Sequence, residues 1–142
     1  MINNYDDISF VDKKLKLVGT SYNYGISYEQ NSVLERSVIF EETTSFKQYK
    51  FDLGSTNKGS YDVLTSDNKN KDFVWYDKSL DISSLEKGRY AIIVYTKTKD
   101  VADYGEVSDV FGMINDASAV INNKKYSIIL NKERNNRIEL IV

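Results

Sequence analysis

The side chains able to do chemistry in this chain are carboxylates, amines, hydroxyls and aromatic rings, because it contains no histidine and no cysteine. That removes the commonest general base, the usual partner of a serine nucleophile, thiolate chemistry and the preferred zinc ligands. Carboxylates come nearest to a catalytic spacing. Asp62, Asp67, Asp72 and Asp77 recur every five residues, and Glu41-Glu42 closes an apolar run. A glycosidase needs two carboxyls at a set separation, one of them kept protonated by burial. Acids at loops and strand ends are normally solvated, so the spacing reads as surface. Ser and Lys are plentiful, yet no strained G-x-S-x-G elbow occurs to aim a serine for a Ser/Lys dyad. The run Asp67-Asn68-Lys69-Asn70-Lys71-Asp72 offers oxygens at alternate positions. It lacks the glycine and terminal glutamate of a calcium loop and carries lysines within it, so it reads as a polar turn. The scattered glycines open no helix and cradle no phosphate. No catalytic residue, metal ligand or cofactor is expected.

Aromatic rings remain. Eleven Tyr, six Phe and one Trp are a high load for 142 residues. Tyr and Trp present a flat apolar body with a polar tip, suited to stacking on a sugar or anchoring an interface. Tyr22, Tyr24 and Tyr28 surround Gly25, and Trp75-Tyr76 follows a polar loop. Tyr22, Tyr24, Tyr28 and Tyr76 are therefore the candidate ligand contacts. Successive strand residues alternate faces, so one of Trp75 and Tyr76 must point inward. Trp75 is the expected central core aromatic.

Strands must position these rings. The organising stretch is Ser79–Thr98, where a turn signal meets a long strand. Tyr90, Ile92, Val94 and Thr96 form one face, and Arg89, Ala91, Ile93, Tyr95 and Lys97 the other. Both faces are apolar in the middle, as in a strand of a two-layer sandwich. Ahead of it stand Leu85, to plug the core, Gly88, to supply the positive φ of a tight turn, and Tyr90, at the strand entry. This L-x-x-G-x-Y pattern resembles the tyrosine corner of Greek-key sandwiches, where the hydroxyl bonds back to the main chain; a plain core aromatic at the strand start is the alternative.

Elsewhere, strands are expected at Ile8–Val11, Lys14–Tyr24 (with a bulge or close backbone approach at Gly19), Glu35–Glu42, Lys47–Leu53, Gly59–Leu64, Asp72–Tyr76 and Tyr104–Phe111. A hairpin is expected over Ala119–Leu130 about Asn122-Asn123, then a closing strand Arg137–Val142. Short strands at regular intervals with no convincing helix predict an all-β, antiparallel, Ig-like Greek-key β-sandwich. The chain suits one domain: residues 1–12 as lead-in, 14–111 as the core sandwich, and 118–142 as a C-terminal hairpin and closing strand, with Gly112–Ser118 as the internal boundary.

A net charge of −2, with both signs interspersed, forms no basic stripe for nucleic acid and no polybasic segment for lipid. No apolar run is long enough for membrane insertion, and the polar, acidic Met1–Asp7 does not read as a signal peptide.

The pattern Leu15-x-Leu17-x-Gly19-x-x-Tyr22-x-x-Gly25-Ile26, the pair Phe73-x-Trp75, and Asp81-Ile82-Ser83-Ser84-Leu85-x-x-Gly88-x-Tyr90-x-Ile92 together resemble the Ig-like accessory β-sandwich modules of Gram-positive cell-surface and cell-wall proteins. The resemblance spans Leu15–Phe111 and leaves out the last 31 residues. It implies a noncatalytic accessory module that recognises a carbohydrate or cell-wall polymer, at the cell surface or secreted as part of a larger protein. A protein-interaction or structural module of an adhesin or toxin is the alternative, and a cytoplasmic location stays open. The oligomeric state is not legible.

Overall fold

A computed structural model describes residues 1–58, 67–108 and 117–142. The strands are β1 Ile2–Val11, β2 Lys14–Tyr22, β3 Val33–Glu42, β4 Gln48–Asp52, β5 Trp75–Leu80, β6 Arg89–Thr98, β7 Ala102–Glu106, β8 Ala117–Ile121, β9 Lys124–Asn131 and β10 Arg137–Ile141. Among the described residues there is no α-helix, only a 3-10 turn over Lys132–Arg134. The pairings are antiparallel and make two sheets, a three-stranded β1-β2-β5 and a seven-stranded β4-β3-β6-β10-β9-β8. The all-β, two-sheet expectation holds. β7 also joins the larger sheet, because β6 divides one edge between β10 at 89–91 and β7 at 93–97.

Local chemistry explains the hairpins. Asn122 and Asn123, at φ 50° and 64°, make the β8–β9 turn, the mirror-image geometry that suits twisted strands and that asparagine tolerates. Asp12 and Lys13, at φ 51° and 61°, make the β1–β2 turn in the same way without an asparagine or glycine to announce it. That hairpin turns the expected lead-in into a strand from Ile2, well beyond the short edge at Ile8–Val11. β5 starts at Trp75 and runs to Leu80, later than the expected Asp72–Tyr76. The strand expected at Gly59–Leu64, and most of the boundary at Gly112–Ser118, lie outside the described residues.

One core lies between the sheets. Leu15 and Leu17 of β2, Val38 and Phe40 of β3, Tyr90, Ile92 and Val94 of β6, Ile128 of β9, and Ile138 and Leu140 of β10 are all buried in it. Each such side chain contributes roughly 1.5–3 kcal/mol by leaving water. The C-terminal hairpin and β10 thus share the core of the preceding strands. A smaller cluster of Tyr22, Tyr28 and Val74 closes one end, with Trp75 packed against it.

The corner forms as the sequence predicts. Leu85 and Tyr90 are buried, and the Tyr90 hydroxyl donates 2.7 Å to the Glu86 carbonyl. Gly88 serves for a different reason than expected. Positive φ among the described glycines belongs to Gly25 and Gly54, whereas a Cβ on Gly88 would stand 2.9 Å from Glu42 Cγ. Glycine is favoured there by the close approach of the Glu42 side chain.

A buried cation ties the sheets together. Arg36 of β3 is 1% exposed and donates to the carbonyls of Ser21, Phe73 and Trp75 and to Thr96 Oγ1, at 3.1–3.3 Å. Burial lowers its pKa to about 10, which still leaves it charged at neutral pH. Ser21 Oγ and Thr96 Oγ1 share a further 2.9 Å hydrogen bond across the layers.

Candidate functional site on the outer face of the larger sheet

Strand alternation gives the seven-stranded sheet an outer face. While Tyr90, Ile92 and Val94 point into the core, Arg89, Ala91, Ile93, Tyr95 and Lys97 point away from it. Register then places their neighbours. Ile39 of β3 pairs with Ile93, and Glu41 with Ala91. Tyr104 of β7 pairs with Tyr95, and Glu106 with Ile93. Gln48 of β4 pairs with Glu41, and Lys50 with Ile39. Directly opposed residues on one face stand close enough to interact.

These residues surround a shallow depression of about 280 Å³ lined by Ile39, Glu41, Gln48, Ile93, Tyr95 and Tyr104. Tyr104 is 67% exposed and forms its open wall. On the opposite wall the Gln48 amide donates 2.6 Å to Glu41 Oε2. Lys50 Nζ lies 5.5 Å from the Tyr95 ring centre and 2.5 Å from Glu35 Oε1.

An ion-pair group borders the depression. Arg137 Nη1 donates 3.1 Å to Glu106, while its Nε and Nη2 donate to Glu139 Oε2 at 2.9 and 2.5 Å. Asn131 donates to the same oxygen at 3.2 Å, and Arg89 Nε lies 3.4 Å from the other. Glu139 is wholly buried. Burial would lower the Arg137 pKa, but its bonds to Glu139 and the charges of Glu106 and Glu139 outweigh that and raise it. The face therefore combines flat rings and an apolar floor with fixed amide, carboxylate and guanidinium groups. Such a surface can stack on one side of a ligand and hydrogen-bond to its rim.

The ring cluster singled out in the sequence has a different fate. Tyr22, Tyr28 and Tyr76 are 3%, 0% and 3% exposed and present no face to a ligand, whereas Tyr24 is 65% exposed. Tyr22 and Tyr28 enclose the ammonium of Lys71, whose Nζ lies 5.6 and 5.5 Å from their ring centres. The same Nζ donates to the Ile26 carbonyl at 2.6 Å and to Asp67 Oδ2 at 3.0 Å. Asp67 in turn accepts from the Gly25 and Lys69 amides. These donors overcome the upward push of burial and hold its pKa down at about 2. The Tyr28 hydroxyl accepts 2.8 Å from the Asn23 amide, and burial raises its pKa. This cluster is an internal cation cage that pins the 23–32 and 67–74 loops together.

Trp75 and Tyr76 are reversed relative to expectation. Tyr76 lies in the main core, and Trp75 is half-buried beside the small cluster. Gly19 is the reason. It pairs with Tyr76, and a Cβ there would clash with the Tyr76 hydroxyl at 2.6 Å and with the Asn4 carbonyl. The bulge between Tyr5 and Asp7 of β1 lies opposite the same glycine. Of the spaced aspartates, Asp67 is held by Lys71, Asp72 accepts from Asn70, and Asp77 pairs with Lys58 at 2.7 Å. Asp62 lies outside the described residues.

Sequence reasoning overlooked Tyr95, Tyr104 and Ile39 as surface residues. The available signal was the second apolar face of β6, which reads equally well as burial. A scan against models of protein families finds no match to the chain, and a search of curated proteins finds no related sequence.

Proposed function

We propose that the chain is a noncatalytic binding module that takes a carbohydrate or wall polymer on the outer face of its larger sheet. One observation carries this reading: the exposed Tyr104 pairs with Tyr95 beside an open depression floored by Ile39 and Ile93. Sugars offer apolar C–H faces and a rim of hydroxyls, which suits rings flanked by Gln48 and Glu41. A noncatalytic role also suits the carboxylates. Glu35, Glu42 and Asp81 are held below the usual carboxylate range by hydrogen bonds from Lys50, Ser45 and Ser83 respectively, opposite to what a general acid requires. An accessory place within a larger Gram-positive surface protein belongs to the same proposal. Retention on a glycan array or a cell-wall preparation tests it. Tyr104→Ala should abolish retention while the fold persists, and wild-type protein that is never retained rejects the reading.

A second reading, protein association by strand addition, is favoured by β8. That strand ends the sheet order, carries no charged residue and leaves Val120 67% exposed. Light scattering over a concentration series checks it. A growing mass that Val120→Lys suppresses supports association, and a constant monomer mass rejects it.

A further inference from the structure

We infer that the outer face is built for an uncharged oligosaccharide laid across the strands, and that it discriminates against phosphate- or uronate-bearing polymers. This rests on the reading of that face as a glycan site and adds the chemical class of the ligand.

Much of the positive charge beside the depression is already paired. Three cations beside the depression have carboxylate partners: Lys50 has Glu35, Arg137 has Glu106 and Glu139, and Arg89 has Glu139. Drawing Arg137 toward an anionic ligand would leave the wholly buried Glu139 with only Asn131 and the more distant Arg89. Removing one member of a buried ion pair is strongly unfavourable. Lys97 and Lys125 also belong to this face, but neither lines the depression. Among the lining residues the single charged side chain is Glu41, which repels anions. What the lining offers instead is two rings, two isoleucines and the Gln48–Glu41 pair. The amide and carboxylate keep further donor and acceptor capacity for hydroxyls, which can both give and receive a hydrogen bond.

Geometry adds a length. The lining residues come from β4, β3, β6 and β7, which are consecutive across the sheet. Three inter-strand steps span ~14 Å, enough for a short oligosaccharide and too long for one sugar ring. Affinity should therefore rise from monosaccharide to short oligomer and then level off.

The test is calorimetric titration of the full chain at about 20 mM and about 300 mM NaCl, conditions that bracket strong and weak screening. The neutral probes are cellohexaose, maltohexaose and N-acetylchitohexaose, and the anionic probes are hexagalacturonate and poly(glycerol phosphate). The expected result is binding of a neutral probe whose Kd changes by less than about twofold with salt and rises about tenfold or more in Tyr104→Ala. Binding confined to the anionic probes, weakened about tenfold or more by salt and still lost in Tyr104→Ala, overturns the uncharged-ligand inference and leaves the face as the site. Neutral binding that Tyr104→Ala leaves intact, or no binding to either class, overturns the glycan-site reading and this inference with it.

Discussion

Among the described residues, two tyrosine clusters of similar chemistry differ in that one is closed and the other open. At one end Tyr22 and Tyr28 close around the Lys71 ammonium, so their ring faces are taken by a cation from the same chain. On the outer face of the larger sheet Tyr95 and Tyr104 stand side by side, and Tyr104 is left to solvent. The difference arises from what register and loops bring to each ring. The 67–74 loop bonds to Tyr28 on both sides, the Tyr28 amide donating to Asn70 O and the Phe73 amide to Tyr28 O. No equivalent described segment crosses Tyr104. A tyrosine's residue type states its capacity, and its neighbours decide whether that capacity is spent on folding or offered to a ligand.

Substitution should separate the two clusters most sharply. Tyr28→Ala deletes a fully buried ring and is expected to destabilise the fold by ~3–5 kcal/mol in denaturant titration, as large core truncations do. Tyr104→Ala is expected to shift stability by less than about 0.5 kcal/mol. Equal losses at the two positions would erase the distinction. Lys71→Met should have an intermediate effect, about 1–3 kcal/mol, because it removes the ammonium donor of the Ile26 carbonyl and leaves Asp67 with only the Gly25 and Lys69 amides. Loss of cage order should be visible as faster hydrogen exchange at the Tyr28 amide, with exchange at β7 amides unchanged.

Acid gives a subtler contrast. The folded pKa of Asp67 lies below its unfolded value, so its contribution is complete above about pH 4 and is lost as pH falls toward 2. The Gly25 amide, which donates 2.6 Å to Asp67, should report that loss as a resonance shift over this window. Asp67→Asn should remove the shift. Resonances of Tyr95 and Tyr104 should not follow the same titration.

Much of the fold was legible because its signals are local. The corner was read from Leu85 and Tyr90, and the last hairpin from Asn122-Asn123, where each side chain itself enforces the geometry. The sequence marks Gly88 for its backbone freedom, whereas the crowding against Glu42, 46 positions away, is visible only in three dimensions. Trp75 and Tyr76 were inverted because strand parity depends on the register of β5 against Gly19 of β2. The β1 hairpin is hidden because Lys13, at φ 61°, stands where glycine usually follows the aspartate in this turn type. Arg36 has no local signal for its role, because its four acceptors come from three distant segments. The candidate site was partly legible. The apolar outer face of β6 was recognised, but a sandwich strand and an open binding face share that pattern. Pairing with β7 decides between them.

Hydroxyl-radical footprinting of the tyrosines, with and without a bound glycan, tests the central contrast most directly. The account predicts that Tyr24 and Tyr104 are modified rapidly in the free protein, that Tyr22, Tyr28 and Tyr76 are protected, and that ligand protects Tyr104 while leaving Tyr24 reactive. Modification of Tyr22 or Tyr28 at the rate of Tyr104, or ligand protection at the Tyr24 loop with Tyr104 unchanged, would contradict it.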